Sequence, residues 1–381
     1  MTYSKGRVLV AMSGGVDSSV TAYLLQQQGY ECIGATMKLY NNDDVNATGH
    51  TCCSLDDVED ARAVAFRLGI PHYVFDYSEE FACEVMLPFV ESYEAGRTPN
   101  PCIECNRRMK FDRLLHRAEE LGCDFIATGH YARIGCAEEH FTQSEGWARH
   151  YVAPDGDTRF ELRRGLDTSK DQSYVLYSLT QDQLARTLLP LGGYEKTHVR
   201  EIAEEQGFVN AQKHDSQDIC FVPDGDYLGF LERYRGKPYL AGDIVDASGK
   251  VLGQHKGAVA YTIGQRKGLC IGGAPEPYFV TSKNMAENQV VVGPRRELSS
   301  KGCVALDWNW VALQLSPGET LQVQVKTHYR QTSISAELTA ETDGSVRARY
   351  LEPRPLAAPG QALVAYVDDK VIGGGTIEST F

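Results

Sequence analysis

The stretch Val8-Leu-Val-Ala-Met-Ser-Gly-Gly-Val-Asp-Ser-Ser-Val20 decides the fold of the first half of this chain. Its apolar run, Val8 to Ala11, predicts a buried strand of a parallel sheet. A glycine turn follows at Ser13-Gly14-Gly15, and a helix is predicted to start near Asp17. Apolar residues then recur on one helical face, at Val16, Val20, Tyr23 and Leu24. A strand, a glycine turn and a helix in this order aim backbone N–H groups at one point, which attracts phosphate.

The type of phosphate loop follows from the residues around the glycines. The hydroxyls of Ser13, Ser18 and Ser19 can donate to phosphate oxygens, whereas the Gly-Lys-Ser/Thr of a Walker loop is missing. A tight strand-to-helix turn with no ligand is the alternative interpretation of the same residues.

Length and composition limit the class of protein. A chain of 381 residues with 42% hydrophobic and 23% charged residues predicts two or three globular domains. No apolar run approaches the length of a membrane span, and no apolar signal core precedes the first strand, so a cytoplasmic protein is expected. In that compartment the 11 cysteines should mostly be reduced, buried residues.

The net charge of −13 argues against non-specific binding of polyanions. The charge is unevenly distributed, because residues 1–219 carry all of the excess and residues 220–381 are balanced. The second part could therefore contact a phosphate backbone.

Strands and helices alternate through the first half, which predicts an α/β fold with a doubly wound parallel sheet and ligands at the carboxyl ends of its strands. Met37, Gly129 and His130 follow strand ends and should therefore lie near Ser13. The predicted strands are Glu31–Met37, His72–Tyr77 and Asp124–Thr128. The predicted helices are Asp56–Leu68, Glu79–Glu94, Asn106–Leu121, Gln181–Leu189 and His198–Gln206.

The later part of the chain has a different texture. Residues 136–158 are polar and aperiodic, which indicates a surface insertion. Frequent glycines after Val222 indicate a small mixed domain, and alternation from Gly302 onward predicts an antiparallel β-barrel. The barrel strands are predicted at Leu321–Thr327, Ser345–Tyr350 and Ala362–Val367. The predicted domains are 1–222, 223–300 and 301–381.

Three cysteines stand out by context. Prolines hold the backbone extended before Cys102-x-x-Cys105, and a basic helix is predicted to follow, an environment that favours thiolate. Alone, this pair is ambiguous between redox chemistry, metal binding and coincidence. Cys220, beside Ile219 and Phe221, would by itself be a core residue.

Together these features resemble the tRNA-specific 2-thiouridylase family of ATP pyrophosphatases. The resemblance runs nearly end to end and leaves out only the insertion at 136–158. It is carried by SGGVDSS at 13–19, AGRTPNPCIECN at 95–106, ATGHYAR at 127–133, GLDTSKDQSYVLY at 165–177, DSQDICF at 215–221, YTIGQRKGL at 261–269 and HYRQ at 328–331.

The resemblance implies a reaction and its co-substrates. ATP, with Mg²⁺, would adenylate the C2 oxygen of the wobble uridine of tRNA. A persulfide on Cys220, loaded by a sulfur-relay protein or a cysteine desulfurase, would deliver sulfur. Cys105 would resolve the persulfide or form a disulfide with Cys220.

Binding residues follow from the same resemblance. ATP would be bound by Ala11, Met12, Ser13, Gly14, Gly15, Val16, Asp17, Ser18, Met37 and Gly129. The target base would be held by Asn100, Pro101 and Cys102. The rest of the tRNA would be contacted by His130, Lys170, Asp171, Gln172, His328, Tyr329 and Gln361.

Departures from the family pattern leave alternatives open. Some members have Asp where this chain has Cys102, and Arg where it has His328. Cys102, Cys105 and Cys220 could instead hold a 4Fe-4S cluster whose open iron carries sulfide, while the persulfide route needs no metal. A different ATP pyrophosphatase, amide-forming or of the 4-thiouridine type, is the alternative enzyme. A nucleotide- and RNA-binding module without activity is the alternative outside enzymes.

Overall fold

A five-stranded parallel sheet lies at the centre of the first half of the molecule. The structure, a computed structural model, describes residues 5–40, 55–136, 159–213, 219–272 and 276–381. The strands of the first half are β1 (Arg7–Ala11), β2 (Glu31–Lys38), β3 (His72–Asp76), β4 (Phe125–Ala127), β5 (Ala132–Cys136), β6 (Phe160–Arg164) and β7 (Thr187–Leu188). Five of them form the sheet in the order β3-β2-β1-β4-β7, and every pairing in it is parallel.

Helices cover both faces of this sheet. They are α1 (Val16–Gln27), α2 (Leu55–Leu68), α3 (Ser78–Phe81), α4 (Leu87–Glu94), α5 (Pro101–Glu104), α6 (Leu114–Glu120), α7 (Gln181–Ala185), α8 (Lys196–Glu205) and α9 (Tyr227–Arg235). A π-helical segment, π1 (Ala82–Met86), joins α3 to α4, and a second, π2 (Cys105–Arg113), joins α5 to α6. Val8 and Val10 pack against α1, α2 and α8, whereas Leu9 packs on the opposite face with α6. The predicted doubly wound sheet is confirmed.

Two predicted helices have different bounds in the structure. The helix expected from Asn106 begins at Pro101, so Cys102 and Cys105 lie inside it rather than before it. Pro101 starts the helix readily because its missing N–H would have no partner in the first turn. The helix expected over Gln181–Leu189 ends at Ala185, because Thr187 and Leu188 pair with β4 as the edge strand β7.

A small mixed sheet follows, as predicted from the short glycine-punctuated segments. Its strands are β8 (Gly242–Val245), β9 (Val251–His255), β10 (Tyr278–Asn284) and β11 (Gln289–Pro294), in the order β10-β11-β8-β9. The β8–β11 pairing is parallel and the others are antiparallel.

The last six strands close into an antiparallel barrel, which confirms that prediction. They are β12 (Ser299–Trp310), β13 (Thr320–Lys326), β14 (Ile334–Ala340), β15 (Val346–Pro355), β16 (Ala362–Val367) and β17 (Lys370–Thr380). Closure comes from β12, which pairs with both β15 and β17.

The barrel is joined to the first half by sheet pairing and by a common core. The hairpin β5–β6 extends the barrel sheet, because Arg163 of β6 pairs with Lys370 of β17. Val364 and Tyr366 of the barrel pack in one cluster with Leu9 of the parallel sheet. Of the expected insertion, residue 136 ends β5, and residues 137–158 lie outside the described part of the chain.

None of the helices in the described ranges has the length and apolar character needed to cross a membrane.

Candidate functional site

The loop between β1 and α1 together with the first turn of α1, residues 12–18, is called here the nucleotide loop. Gly14 has φ of +73°, and a Cβ on it would lie 2.3 Å from the carbonyl oxygen of Asp57, so only glycine fits. The hydroxyl of Ser18 accepts from the Ser13 N–H at 3.2 Å and donates to the Gly15 oxygen at 3.0 Å. These bonds fold the loop back on the first turn of α1. The resulting turn has the geometry of a phosphate-binding turn.

Asp17 is held by groups that the sequence did not point to. Both of its carboxylate oxygens accept from Lys196 Nζ, at 2.7 and 2.8 Å, and Oδ1 also accepts from the Tyr131 hydroxyl at 2.7 Å. The Lys196 side chain is only 9% exposed, so its charge is paired away from water. Lys196 starts α8, far along the chain from Asp17, and no local pattern signals the contact.

Two further side chains hold the other edge of the nucleotide loop. Asn210 Nδ2 donates to the Gly14 oxygen and to Ser19 Oγ, both at 2.9 Å. Lys213 Nζ lies 3.3 Å from the same Gly14 oxygen and pairs with Asp57 and Asp60 at 2.6 Å each. Although burial lowers the pKa of Lys213, its bonds to the two carboxylates outweigh that effect and raise it.

Gly129 lies close to the nucleotide loop, whereas Met37 has its described contacts in the apolar layer. Gly129 follows β4, and a Cβ on it would lie 3.0 Å from the Asp17 carbonyl carbon and the Ser18 nitrogen. Met37, expected after a strand, lies inside β2, which continues to Lys38. Its side chain packs in the apolar layer next to Phe75.

The helical segment 101–113, formed by α5 and π2, is called here the cysteine helix. Asn100 caps it, because its side-chain oxygen accepts from the Cys102 N–H at 3.1 Å. Cys102 is exposed, while Cys105, one turn later, is buried. Asn106 anchors the helix through a bond from Nδ2 to the Val175 oxygen at 3.0 Å.

Cys220 packs against the apolar cluster that contains Cys105 of the cysteine helix. It is half-buried, and its backbone oxygen accepts from the Tyr40 hydroxyl at 2.8 Å. Cys105 and Cys220 pack in one apolar cluster with Met109 and Phe221. Residues 215–218 of the DSQDICF motif lie outside the described part of the chain. Two cysteines from distant segments of the chain are therefore part of one apolar cluster.

The alternative cluster ligands form no metal-binding group in the described residues. All three cysteines are described, and within the described ranges no group of three His, Cys, Asp or Glu side chains is arranged to hold a metal ion. Cys102 is exposed, whereas Cys105 lies inside the apolar cluster. Binding of a 4Fe-4S cluster by Cys102, Cys105 and Cys220 stays a prediction.

Several residues assigned to tRNA by resemblance bond to other groups of the protein. His130 is buried, its Nδ1 lies 2.7 Å from Thr128 Oγ1, and burial and the Lys110 charge hold its pKa well below the usual range. Gln172 Oε1 accepts from the Tyr131 N–H at 2.9 Å, which fixes the residue that bonds Asp17. Asp171, also buried, accepts from the N–H groups of two neighbouring loop residues.

The remaining assigned residues lie on or beside the barrel. Lys170 is half-buried, and His328 is exposed after β13. The Tyr329 ring lies 6.1 Å from that of Tyr174, and burial raises the pKa of Tyr329 to about 12. Gln361 Nε2 donates to a backbone oxygen of the segment before the cysteine helix, at 2.8 Å.

Family models match three consecutive parts of the chain. Residues 6–224 match a model described as "tRNA methyl transferase HUP domain". Residues 229–294 match a "tRNA methyl transferase PRC-barrel domain", and residues 300–377 match an "Aminomethyltransferase beta-barrel domain".

Curated relatives match almost the whole chain. The chain is 46% identical over 380 residues to the tRNA-specific 2-thiouridylase MnmA of Geobacter metallireducens, covering 99% of this chain and 98% of the relative. It is also 46% identical over 375 residues to the protein of that name from Carboxydothermus hydrogenoformans, covering 98% and 97%. A solved 4-thiouridine synthetase–RNA complex with bound ATP is 20% identical and covers 60% of this chain and 50% of its own, with a TM-score of 0.34. Since the two relatives are aligned at both ends and the resemblance in motifs agrees with them, the chain belongs to the tRNA-specific 2-thiouridylase family.

Proposed function

We propose that this protein is a tRNA-uridine 2-sulfurtransferase, which uses ATP to replace the C2 oxygen of the wobble uridine by sulfur. The observation that carries the proposal is that Cys105 and Cys220 belong to one apolar cluster, in a chain that is 46% identical over its length to a tRNA-specific 2-thiouridylase. A phosphate loop and two cysteines that can come together are the two parts that such a reaction requires.

Activation of the base is assigned to the nucleotide loop. The uridine C2 oxygen attacks the α-phosphorus of ATP, pyrophosphate leaves, and C2 then carries AMP as a good leaving group. Ala11 to Ser18, Met37 and Gly129 would hold the nucleotide. The Asp17 carboxylate, which Lys196 and Tyr131 hold in one orientation, would supply oxygen ligands of the kind that Mg²⁺ prefers.

Sulfur delivery is assigned to the two cysteines. The terminal sulfur of a Cys220 persulfide attacks C2, AMP leaves, and a disulfide joins Cys220 to the base. The Cys105 thiolate then attacks Cys220 Sγ, which releases 2-thiouridine and forms the Cys105–Cys220 disulfide. A cellular dithiol reduces that disulfide, and a sulfur-relay protein or cysteine desulfurase reloads Cys220.

Recognition of tRNA is assigned to the surface near the cysteine helix and the barrel. Asn100, Pro101 and Cys102 would cradle the flipped base, and the exposed His328 would contact the tRNA backbone. The buried His130 and Asp171 and the half-buried Gln172 would act by shaping the loops beneath the base, since their polar atoms bond to the protein.

The test is a reaction of the purified protein with unmodified tRNA, ATP and a persulfide donor. We expect AMP, pyrophosphate and 2-thiouridine at the wobble position. Formation of ADP and phosphate, or of 4-thiouridine, would refute the assignment. Binding of ATP and tRNA without release of pyrophosphate would identify a binding module instead.

A further inference from the structure

The segment between α4 and the cysteine helix, residues 96–100, is called here the Thr98 turn. Both backbone polar groups of Thr98 bond to the barrel, although the turn belongs to the first half of the chain. The Thr98 N–H donates to the Pro359 oxygen at 2.8 Å, and its carbonyl accepts from Gln361 Nε2 at 2.8 Å. Both partners of Thr98 therefore lie on the barrel.

Two more contacts tie this turn to the barrel. Arg97 forms an ion pair with Glu378 of β17 at 2.8 Å, and each side chain is 39% exposed. Gly360 has φ of +91°, and a Cβ on it would lie 3.0 Å from the Thr98 nitrogen. The barrel backbone therefore approaches the turn as closely as a glycine allows.

The region of the small mixed sheet, β8 to β11, contacts the same turn from another side. A Cβ on Gly96 would lie 2.9 Å from Met285 Cγ of the loop after β10. Thr98 Oγ1 donates to Thr262 Oγ1 at the long distance of 3.5 Å. The short turn is thus enclosed by residues of both later parts of the chain.

Thr98, which the barrel holds in place, is only a few residues before Cys102 and Cys105 in the chain. Asn100 ends the turn and caps the Cys102 N–H, and the helix continues without a break to Cys105. A displacement of the Thr98 turn would move the start of this helix, because Pro101 leaves little backbone freedom between them.

We propose that Gln361 and Glu378 are positioning residues, which act through the Thr98 turn to set the place of Cys105 relative to Cys220. The inference rests on the proposed function and deepens it. The barrel then determines the rate of sulfur transfer, in addition to any tRNA contact that it makes. Gln361, assigned to tRNA by resemblance, acts here through its bond to the Thr98 carbonyl.

The experiment reverses the ion pair. Arg97→Glu, Glu378→Arg and the double exchange are compared in single-turnover reactions, with the persulfide loaded before tRNA and ATP are mixed. We expect each single variant to slow formation of 2-thiouridine about fivefold, the factor that a partly exposed ion pair can supply. Pyrophosphate release and the KM for tRNA should stay within about twofold of wild type, and the double exchange should restore the rate.

Gln361→Ala is the second variant, and Gln322→Ala is its control, since Gln322 bonds to Glu337 on the barrel strands β13 and β14. Gln361→Ala should slow sulfur transfer, and Gln322→Ala should not. Near-ultraviolet circular dichroism confirms that the compared variants are folded.

The outcomes separate this inference from the proposed function. If wild type itself forms no 2-thiouridine, the proposed function fails. If wild type is active and the single variants keep its transfer rate, or raise only the KM for tRNA, the positioning role fails. Loss of activity that the double exchange does not restore also contradicts it.

Discussion

The nucleotide loop and the cysteine helix are held in opposite ways. The loop is fixed from within the parallel-sheet domain, by the buried Lys196 and by Asn210 and Lys213. The start of the cysteine helix is fixed from outside that domain, by barrel residues that bond to Thr98. One end of the proposed site is complete within the parallel-sheet domain, and the other is completed by later parts of the chain.

The two steps of the proposed reaction should therefore be sensitive to changes in different parts of the molecule. The rate of adenylation should change when residues around Asp17 are altered, and it should not change when barrel residues are altered. Sulfur transfer should respond to both the cysteines and the barrel. Deleting the barrel is a poor test of this division, because the barrel shares an apolar cluster with the parallel sheet, which includes Leu9 and Tyr366.

The largest expected effect separates the two steps at Cys220. Cys220→Ser should abolish 2-thiouridine formation and leave pyrophosphate release detectable, because Cys220 is assigned to delivery alone. Thionucleoside analysis by mass spectrometry and a pyrophosphate assay measure the two steps. Cys83→Ser, a change at an exposed cysteine, is the control. Full thiolation by the Cys220 variant would contradict the assignment of sulfur delivery to Cys220.

Lys196→Met tests the nucleotide end. It leaves the Asp17 carboxylate with the Tyr131 hydroxyl, so we expect an unfolding free energy lower by about 3 kcal/mol and a strong loss of pyrophosphate release. Urea denaturation and the pyrophosphate assay measure both. Tyr131→Phe should cost about 1 kcal/mol, as one hydrogen bond does, and Lys250→Met at an exposed position should cost nothing. Wild-type pyrophosphate release by Lys196→Met would show that this pair does not support the loop.

Cys102→Asp tests whether the exposed thiol takes part. Since Cys102 is exposed and the sulfur chemistry is assigned to Cys105 and Cys220, the variant should keep thiolation, and the carboxylate should hold or improve adenylation. Activity and an absorption spectrum of anaerobically purified protein are the measurements. Broad absorption near roughly 400 nm in wild type that Cys102→Asp bleaches, with loss of thiolation, would favour the cluster route instead.

The support of the Thr98 turn by the small mixed sheet can be tested through Lys283 of β10. Burial lowers the pKa of Lys283 to about 8, and its Nζ donates to the Tyr261 oxygen at 2.7 Å. Between pH 8 and 10.5 the unfolded chain keeps this proton while the folded protein loses it, so stability rises with pH. Over that window the unfolding free energy of wild type should rise about 2–3 kcal/mol more than that of Lys283→Met. Urea denaturation at several pH values measures it, and equal slopes would contradict the prediction.

The sequence predicted the elements whose signals are local. The apolar run Val8–Ala11 and the glycines after it specify β1 and the nucleotide loop, and alternation specifies the barrel strands. The edge strand Thr187–Leu188 was predicted as helix, because its two residues gain their conformation from pairing with β4. Tertiary pairing of this kind leaves no local pattern to read.

The candidate site was predicted only where motifs name it. The motifs indicated Asp17, Cys105 and Cys220, but gave no sign of Lys196 or Asn210, which come from distant segments. Gln361 was assigned to tRNA, and its bond to Thr98 depends on the approach of two domains that one sequence does not reveal. Such partners are set by packing between elements far apart in the chain.

The pairing of β6 with β17 has a consequence for synthesis. Arg164 ends β6, and Lys370 begins β17 about 200 residues later. At roughly 5–20 residues per second, the nascent chain would wait about 10–40 seconds before the partner strand is made. During that interval an unpaired strand edge is exposed on the ribosome, the kind of surface that invites wrong pairing. Stalled or truncated chains should therefore aggregate from this hairpin, and the last strand made protects one of the first.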